Sequence, residues 1–395
     1  MIPALRRAFN EHWTEARYRA HLDALTNRAG EPLGFPVSET PCFFPAGLMA
    51  ELGDVGAELV RQSLAGDAAR AGEAAVPARY RGPGAGPHPA FLQVDFGFVR
   101  AAGGRLEPRL VELQAFPSLY GFQLAMAESY LRAFELDATL DPFLGGLDRA
   151  AYVRLVGEAI VGPHDPDTVV LLEIDPARQK TRPDFAVTEE LWGVRAVDVR
   201  SVRPRGTRLV YDRDGREVPI ARVYNRVIPD ELERRGIETP FGWDADLDVE
   251  WVGHPEWYFR VSKLSIPYLR HPSVPRTWFL DDVDGLPAPR EDLLLKPLFS
   301  FAGGGIVFGP SDEEIAGIPA ARRHDYILQE RLAFAPIIET PDGATQAEVR
   351  VMYVWTDRLR PVLPLIRMGR GRMMGVDHNK GLRWVGASAG LMAGT

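Results

Sequence analysis

The amino-acid sequence predicts an α/β protein, and three observations carry that reading. Apolar runs of strand length alternate with stretches of helical periodicity through the middle of the chain. Glycine, proline and aspartate fall between them at turn positions. The composition, 395 residues with 46% apolar and 25% charged, is that of a globular protein with room for one large or two to three smaller cores.

Taken in order, Phe9, Trp13, Leu22 and Leu25 lie near helical spacing and predict one amphipathic helix in the first 30 residues. Residues 76–90, VPARYRGPGAGPHPA, read as a surface loop. The runs FLQVDFGFV and RLVELQAF, joined by RAAGGRLEP, predict a hairpin, and a helical stretch follows from about Gly121 to Leu140. TVVLLEID has the pattern of a buried strand, followed by PARQKTRPDF and a helix. Further strands are expected near GVRAVDV, and a hairpin within RLVYDRDGREVPIARVYNR.

The net charge of −8 and pI near 5.6 lack the basic surplus expected of a nucleic-acid or anionic-membrane partner, so small molecules are the expected ligands. A single cysteine, Cys42, excludes an intramolecular disulfide and any CxxC site, and it reads as a small buried apolar residue. The N-terminal residues have no signal-like apolar core, and no run of 18 apolar residues occurs. A soluble, cytoplasmic protein is expected.

The stretch KPLFSFAGGGIVFG, 296–309, carries the strongest chemical signal. Lys296 ends the apolar run LLLKPL, where a buried ammonium needs an anionic partner. Gly303, Gly304 and Gly305 leave a backbone bare enough to approach a phosphate, although the same glycines would serve a tight turn. The run is neither GxxxxGK[ST] nor GxGxxG.

Alternate strand residues share a face, so Glu112 and Gln114 can present two oxygens to one point, and a paired strand can bring Asp95 there. Such hard ligands suit Mg²⁺; without a ligand they would be a solvated hairpin edge. Arg178, Lys180 and Arg182 alternate after a strand and can clamp a carboxylate or phosphate on a substrate, or form a solvated basic turn. Glu348 and Arg350 share a strand face, and Arg367, Arg370, Arg372, Asp377, Asn379 and Lys380 follow. Arg367, directly after VLPLI, is the candidate to offset charge at a transferring phosphoryl group. GASAG, 386–390, matches GxSxG, but too little chain follows for the acid and histidine of a hydrolase.

Together these motifs resemble the circularly permuted ATP-grasp family, in the branch of glutathionylspermidine synthetase. The resemblance rests on the Lys-Pro and glycine hairpin of KPLFSFAGGGI, on Lys263 in SKLSIPYL, and on YILQERL, which is similar to the hinge strand that reads adenine. QVDFGFV and PRLVELQAFPSLYGFQ resemble the family's Asp, Glu-x-Asn and Ser-Leu-Tyr segments. The resemblance implies a permuted ATP-grasp fold with residues 1–145 carrying the acidic half-site, 146–255 a pre-ATP-grasp-like α/β subdomain, and 256–395 the nucleotide-binding lobes. It implies ATP and Mg²⁺: Lys263, Lys296 and 303–305 at the phosphates; Gln329, Glu330 and Leu332 at the base; Asp95, Glu112 and Gln114 at the metal. Ser118 would lie toward the substrates, a carboxylate and an amine joined through an acyl phosphate. The chain departs from the family at Gln93, where the synthetase has Arg, at Gln114, where it has Asn, and at Ser300, Phe301 and Ala302, where it has basic residues. A small-molecule kinase and a non-catalytic nucleotide-binding protein remain alternatives.

Overall fold

A computed structural model describes residues 1–300, 303–374, 379 and 381–394. Phe301, Ala302, Asp377 and Lys380, named from the sequence, lie outside the described residues.

The chain begins with two helices rather than one, α1 (Pro3–His12) and α2 (Glu15–Ala29). Trp13 is extended at φ −64°, ψ 137°, and the Thr14 side chain accepts from the backbone N–H of Arg17, so a cap residue interrupts the expected stripe. Then come β1 (Cys42–Pro45), α3 (Ala46–Ser63), α4 (Gly66–Ala74), β2 (Phe91–Arg100), β3 (Leu106–Gln114) and α5 (Tyr120–Ala133). The helix expected to reach Leu140 stops earlier, where Glu135 turns to φ +51°.

The middle of the chain holds α6 (Arg149–Val161), β4 (Val169–Glu173), α7 (Arg182–Trp192), β5 (Arg195–Asp198), β6 (Arg203–Arg205), β7 (Arg208–Arg213), β8 (Arg216–Ile220), β9 (Arg222–Asn225), α8 (Pro229–Arg235) and β10 (Glu250–Val252). The rest comprises α9 (Glu256–Arg260), β11 (Thr277–Phe279), β12 (Leu293–Pro297), β13 (Val307–Phe308), α10 (Asp312–Ala316), β14 (Tyr326–Glu330), β15 (Gln346–Trp355), β16 (Leu359–Gly369) and β17 (Gly386–Ala393).

These elements make a mixed α/β fold. Strands β10, β9, β4 and β5 form a parallel sheet in that order, and β6, β7 and β8 an antiparallel one. Asp214 and Gly215, both at positive φ, make the β7–β8 turn. An antiparallel sheet of order β11-β14-β12-β13 stands apart from these.

The largest sheet, of order β1-β17-β16-β15-β2-β3, joins residues from 42–114 to residues from 346–393. The expected hairpin β2–β3 is present, and β2 pairs antiparallel with β15. Residues alternate between the two faces of this sheet. Val94, Phe96, Val349, Val351 and Ile366 pack into one core with Leu52, Leu59 and Val60 of α3. Phe91, Met352, Val354 and Leu365 pack on the other side with Tyr120 and Leu124 of α5 and Tyr152 of α6. The second face therefore also receives Gln93, Asp95, Glu348, Arg350 and Arg367, and these form the site.

Candidate functional site

Two sheets face each other across a cavity of about 690 Å³. On the large sheet, Glu112, Asp95 and Arg350 are cross-strand neighbours on β3, β2 and β15, and Glu348 on β15 opposes Arg367 on β16. On the small sheet, Lys296 of β12 and Gln329 of β14 point in from adjacent strands. A β-bulge at Asp95/Phe96 leaves Val111 out of the β2–β3 ladder, and its carbonyl lies 3.5 Å from Lys296 Nζ.

Lys296 is 3% exposed, and its other hydrogen-bond acceptor is the Gln329 side-chain oxygen, which is neutral. Burial lowers its ammonium to about 8, with Glu112 acting in the opposite direction and Lys263 in the same. Lys263 starts a 3₁₀ turn, Lys263–Tyr268, and donates to the Ser300 carbonyl at 2.8 Å. Burial lowers its pKa as well, opposed by Glu112. Lys263 lines a small recess that shares Glu112, Gln114 and Ser300 with the main cavity.

Gly303 lines the cavity at φ +75°, and a Cβ there would meet the Met373 methyl carbon at 2.5 Å. Gly305 sits at φ +71° beside Pro297. The 303–305 turn therefore closes onto the segment that follows β16, a contact only a residue without a side chain makes. Leu332 lines the cavity beyond β14, whereas Glu330 turns away to Arg276 at 3.0 Å.

Asp95 is 1% exposed, and both its carboxylate oxygens accept from Arg350 at 2.6 Å. Arg367 donates to Asp95 and to Glu348. Burial works to raise the Asp95 pKa, but the two guanidinium groups outweigh it and hold the carboxyl below its usual range. Glu348, equally buried and beside Asp95 and Glu112, is pushed up to about 7 despite Arg367. Arg350 also donates to Gln93 at 2.9 Å, and Gln93 receives the Gln114 amide at 2.7 Å. Of the three residues read as metal ligands, Glu112 and Gln114 line the cavity, while Asp95 lies beneath it between guanidinium groups. Among the described residues, no group of three or more His, Cys, Asp or Glu side chains could hold a metal ion. A carboxylate and an amide oxygen fit Mg²⁺ that takes its remaining ligands from phosphates and water.

The cavity wall has hydrogen-bonding capacity to spare. Among the described residues, Ser300 Oγ, Gln346 Oε1 and the Nε atoms of Arg367 and Arg370 are buried without a hydrogen-bond partner.

Of the three basic residues at 178–182, Lys180 lines the cavity, next to Thr181, which lines it too. Arg178 is exposed and 3.9 Å from Asp175, and Arg182 pairs with Glu31. Ser118 lines the cavity, and its carbonyl accepts from Gln93 at 3.0 Å. Ser388 of the GASAG motif is buried within β17 and donates to the Thr40 carbonyl at 2.6 Å, so no nucleophile elbow exists there. Cys42 is buried, with its Sγ 3.6 Å from Met368 Sδ.

Sequence reasoning missed Asp184, which caps α5 from α7. Its oxygens accept from the backbone N–H groups of Leu119 at 3.1 Å and Phe122 at 2.9 Å, and from Arg226 at 2.9 Å. The entry of α5, and Ser118 with it, is fixed by this remote carboxylate because the helix has no side-chain cap of its own. It also missed the apolar wall formed by Phe35, Phe122 and Met126. The helical spacing of Phe122 and Met126 was readable, but nothing marked Phe35.

A scan of protein-family models matches none of them. A search of curated proteins returns no match. Among solved structures the chain is similar to a glutathione synthetase-like effector from Globodera pallida in apo form, at a TM-score of 0.56 and 12% identity. That likeness spans 91% of this chain and 96% of the effector, so the two share a fold over nearly their whole lengths.

Proposed function

We propose that this protein is an ATP-dependent ligase on a circularly permuted ATP-grasp scaffold, joining a carboxylate to an amine through an acyl phosphate. The observation that carries the reading is Lys296: an ammonium buried at a cavity wall, whose hydrogen-bond acceptors among the described residues are both neutral. Such a group leaves an unanswered charge that a triphosphate would answer. The fold shared with a glutathione synthetase-like protein supports the same reading.

In this mechanism Lys296 and Lys263 hold phosphate oxygens, the 303–305 turn covers them, and Gln329 and Leu332 border the base. A substrate carboxylate oxygen attacks the γ-phosphorus; the bond to the bridging oxygen breaks and its electron pair leaves with ADP. Arg367 lies on the same wall to offset charge on the transferring group. The amine nitrogen then attacks the acyl carbon, the carbon–oxygen bond to phosphate breaks, and inorganic phosphate departs. Glu348, poised about neutrality, can take the proton the amine releases. Glu112 and Gln114 would hold Mg²⁺, which neutralises phosphate charge when bound.

A second reading, a nucleotide-binding protein without turnover, is favoured by the enclosure of Asp95 between Arg350 and Arg367. Phosphate release from ATP, screened over carboxylate and amine pairs with mass analysis of products, separates the readings. An amide product supports the ligase. A phosphorylated product without amide makes the protein a kinase, and nucleotide binding without release against any pair makes it a binding protein.

A further inference from the structure

The cavity changes character along the large sheet. At its β3 and β15 end the wall carries Glu112 and Arg350; one strand further Leu365 replaces them in the same cross-strand row, and Ala387 of β17 follows Arg367 in the next. Beyond that line three apolar side chains share the wall with Gln123, Lys180 and Thr181. Phe35 meets Phe122 edge-on at a centroid distance of 5.5 Å, and Met126 lies one turn along α5.

The charges on the wall are one-sided. Among the described residues the acidic side chains that line the cavity are Glu112 and Glu348, and Glu348 is engaged by Arg367. Arg370 and Arg372 line it too, and Arg372 makes no ion pair among the described residues. A polyamine entering this end would meet Lys180, which packs against Gly34 beside Phe35, and Arg367, whose cross-strand partner Ala387 donates its backbone N–H to the Pro36 carbonyl. A carboxylate with an apolar body would place its charge near these cations and its body against Phe35, Phe122 and Met126.

We infer that the Phe35 end of the cavity takes an anionic molecule with an apolar, ring-sized body, such as an aromatic amino acid derivative with a free carboxylate, and not a polyamine. This rests on the ligase reading for the role of the molecule, but not for its binding.

The test is calorimetric titration of the full chain with three probes, N-acetyl-L-phenylalanine, N-acetyl-L-aspartate and spermidine, and separately with a non-hydrolysable ATP analogue. N-acetyl-L-phenylalanine should bind about tenfold or more tightly than N-acetyl-L-aspartate, the factor expected for burying one large apolar group, and spermidine should bind more weakly still. Phe35→Ala should remove the preference for the aromatic probe, Phe35→Leu should restore part of it, and neither should change affinity for the ATP analogue. Phe35 is a half-buried loop residue, so the folded state of both variants can be verified by that unchanged affinity or by circular dichroism. Equal or tighter binding of spermidine or N-acetyl-L-aspartate, no binding of the aromatic probe, or an unaltered preference in Phe35→Ala would each overturn the inference. Analogue binding without aromatic-probe binding would sink the substrate class alone. Aromatic-probe binding without analogue binding would sink the nucleotide reading and leave the substrate class standing.

Discussion

Asp95 and Arg350, 255 residues apart in sequence, lie directly opposite one another on β2 and β15 and share two hydrogen bonds of 2.6 Å. The pair is buried, and Arg367 approaches the same carboxylate from β16. A buried, doubly paired carboxylate roughly offsets its own desolvation when satisfied, and removing one partner leaves an uncompensated charge.

Asp95→Asn should therefore destabilise the metal-free protein by about 3–5 kcal/mol, because two buried guanidinium groups lose their shared counter-charge. Urea unfolding in EDTA measures it. A loss of stability confined to Mg²⁺-loaded protein would instead make Asp95 a metal ligand.

Lys296 is predicted to make nucleotide affinity pH-dependent. Its ammonium, lowered to about 8, is charged below that pH and neutral above it, so affinity for a non-hydrolysable ATP analogue should fall as pH rises through 8. Lys296→Met should weaken binding by about 1.5–3 kcal/mol at pH 7 and abolish this slope. Titrations between about pH 6.5 and 9.5 test both, since the lysine's shift defines that window; an unchanged affinity would make Lys296 a structural cation.

Glu112→Ala should abolish Mg²⁺-dependent turnover and leave metal-free nucleotide binding intact or slightly tighter. Glu112 is the carboxylate facing the cavity, and without a cation between them it repels phosphate. Phosphate-release assays and metal-free titration of one preparation give both quantities, and full activity would return β3 to a purely structural role.

Glu173 gives a stability prediction. It ends β4 at 4% exposure, and burial pushes its carboxyl up to about 8, opposed by Arg226. Because the folded pKa exceeds the unfolded one, the folded state holds the proton through the interval from the unfolded carboxyl range to 8, and stability from this group is lost as pH rises across it. Glu173→Gln should be the more stable protein above pH 8 by an amount on the order of a few kcal/mol, with the gap closing toward pH 4.5. Denaturant midpoints across that range show it; parallel curves would contradict the assignment.

How much was legible followed the reach of the physical signal. The hairpin β2–β3, strand β4 and the strand ending at Lys296 come from local alternation and turn residues, which act over a few positions, whereas the pairing of that strand with β14 does not. Alternation also put Glu348 and Arg350 on one face of β15. What alternation could not reveal is that Arg350 and Arg367 enclose Asp95, because that contact is made by strand order in the sheet and not by spacing in the chain. The end of α5 and the break before α2 were set by single backbone positions, Glu135 and Thr14, that the apolar pattern does not record. Spacing could not tell a clamp from a solvated turn for Arg178, Lys180 and Arg182; a 3₁₀ turn ends at Arg178 and α7 starts at Arg182, so the three side chains part.

The order of strands in the large sheet bears on how the chain is made. During synthesis β2 and β3 emerge early, yet the strand that covers the free edge of β2 begins at Gln346 and the sheet is finished at Ala393. At ordinary rates of translation the hairpin waits on the order of ten seconds or longer with an apolar edge unpaired. Asp95, awaiting both its arginines, places a charge on that edge, and a charged edge is poorly suited to pairing with another nascent chain. The carboxylate that anchors the finished site is thus the last group in the hairpin to find its partners.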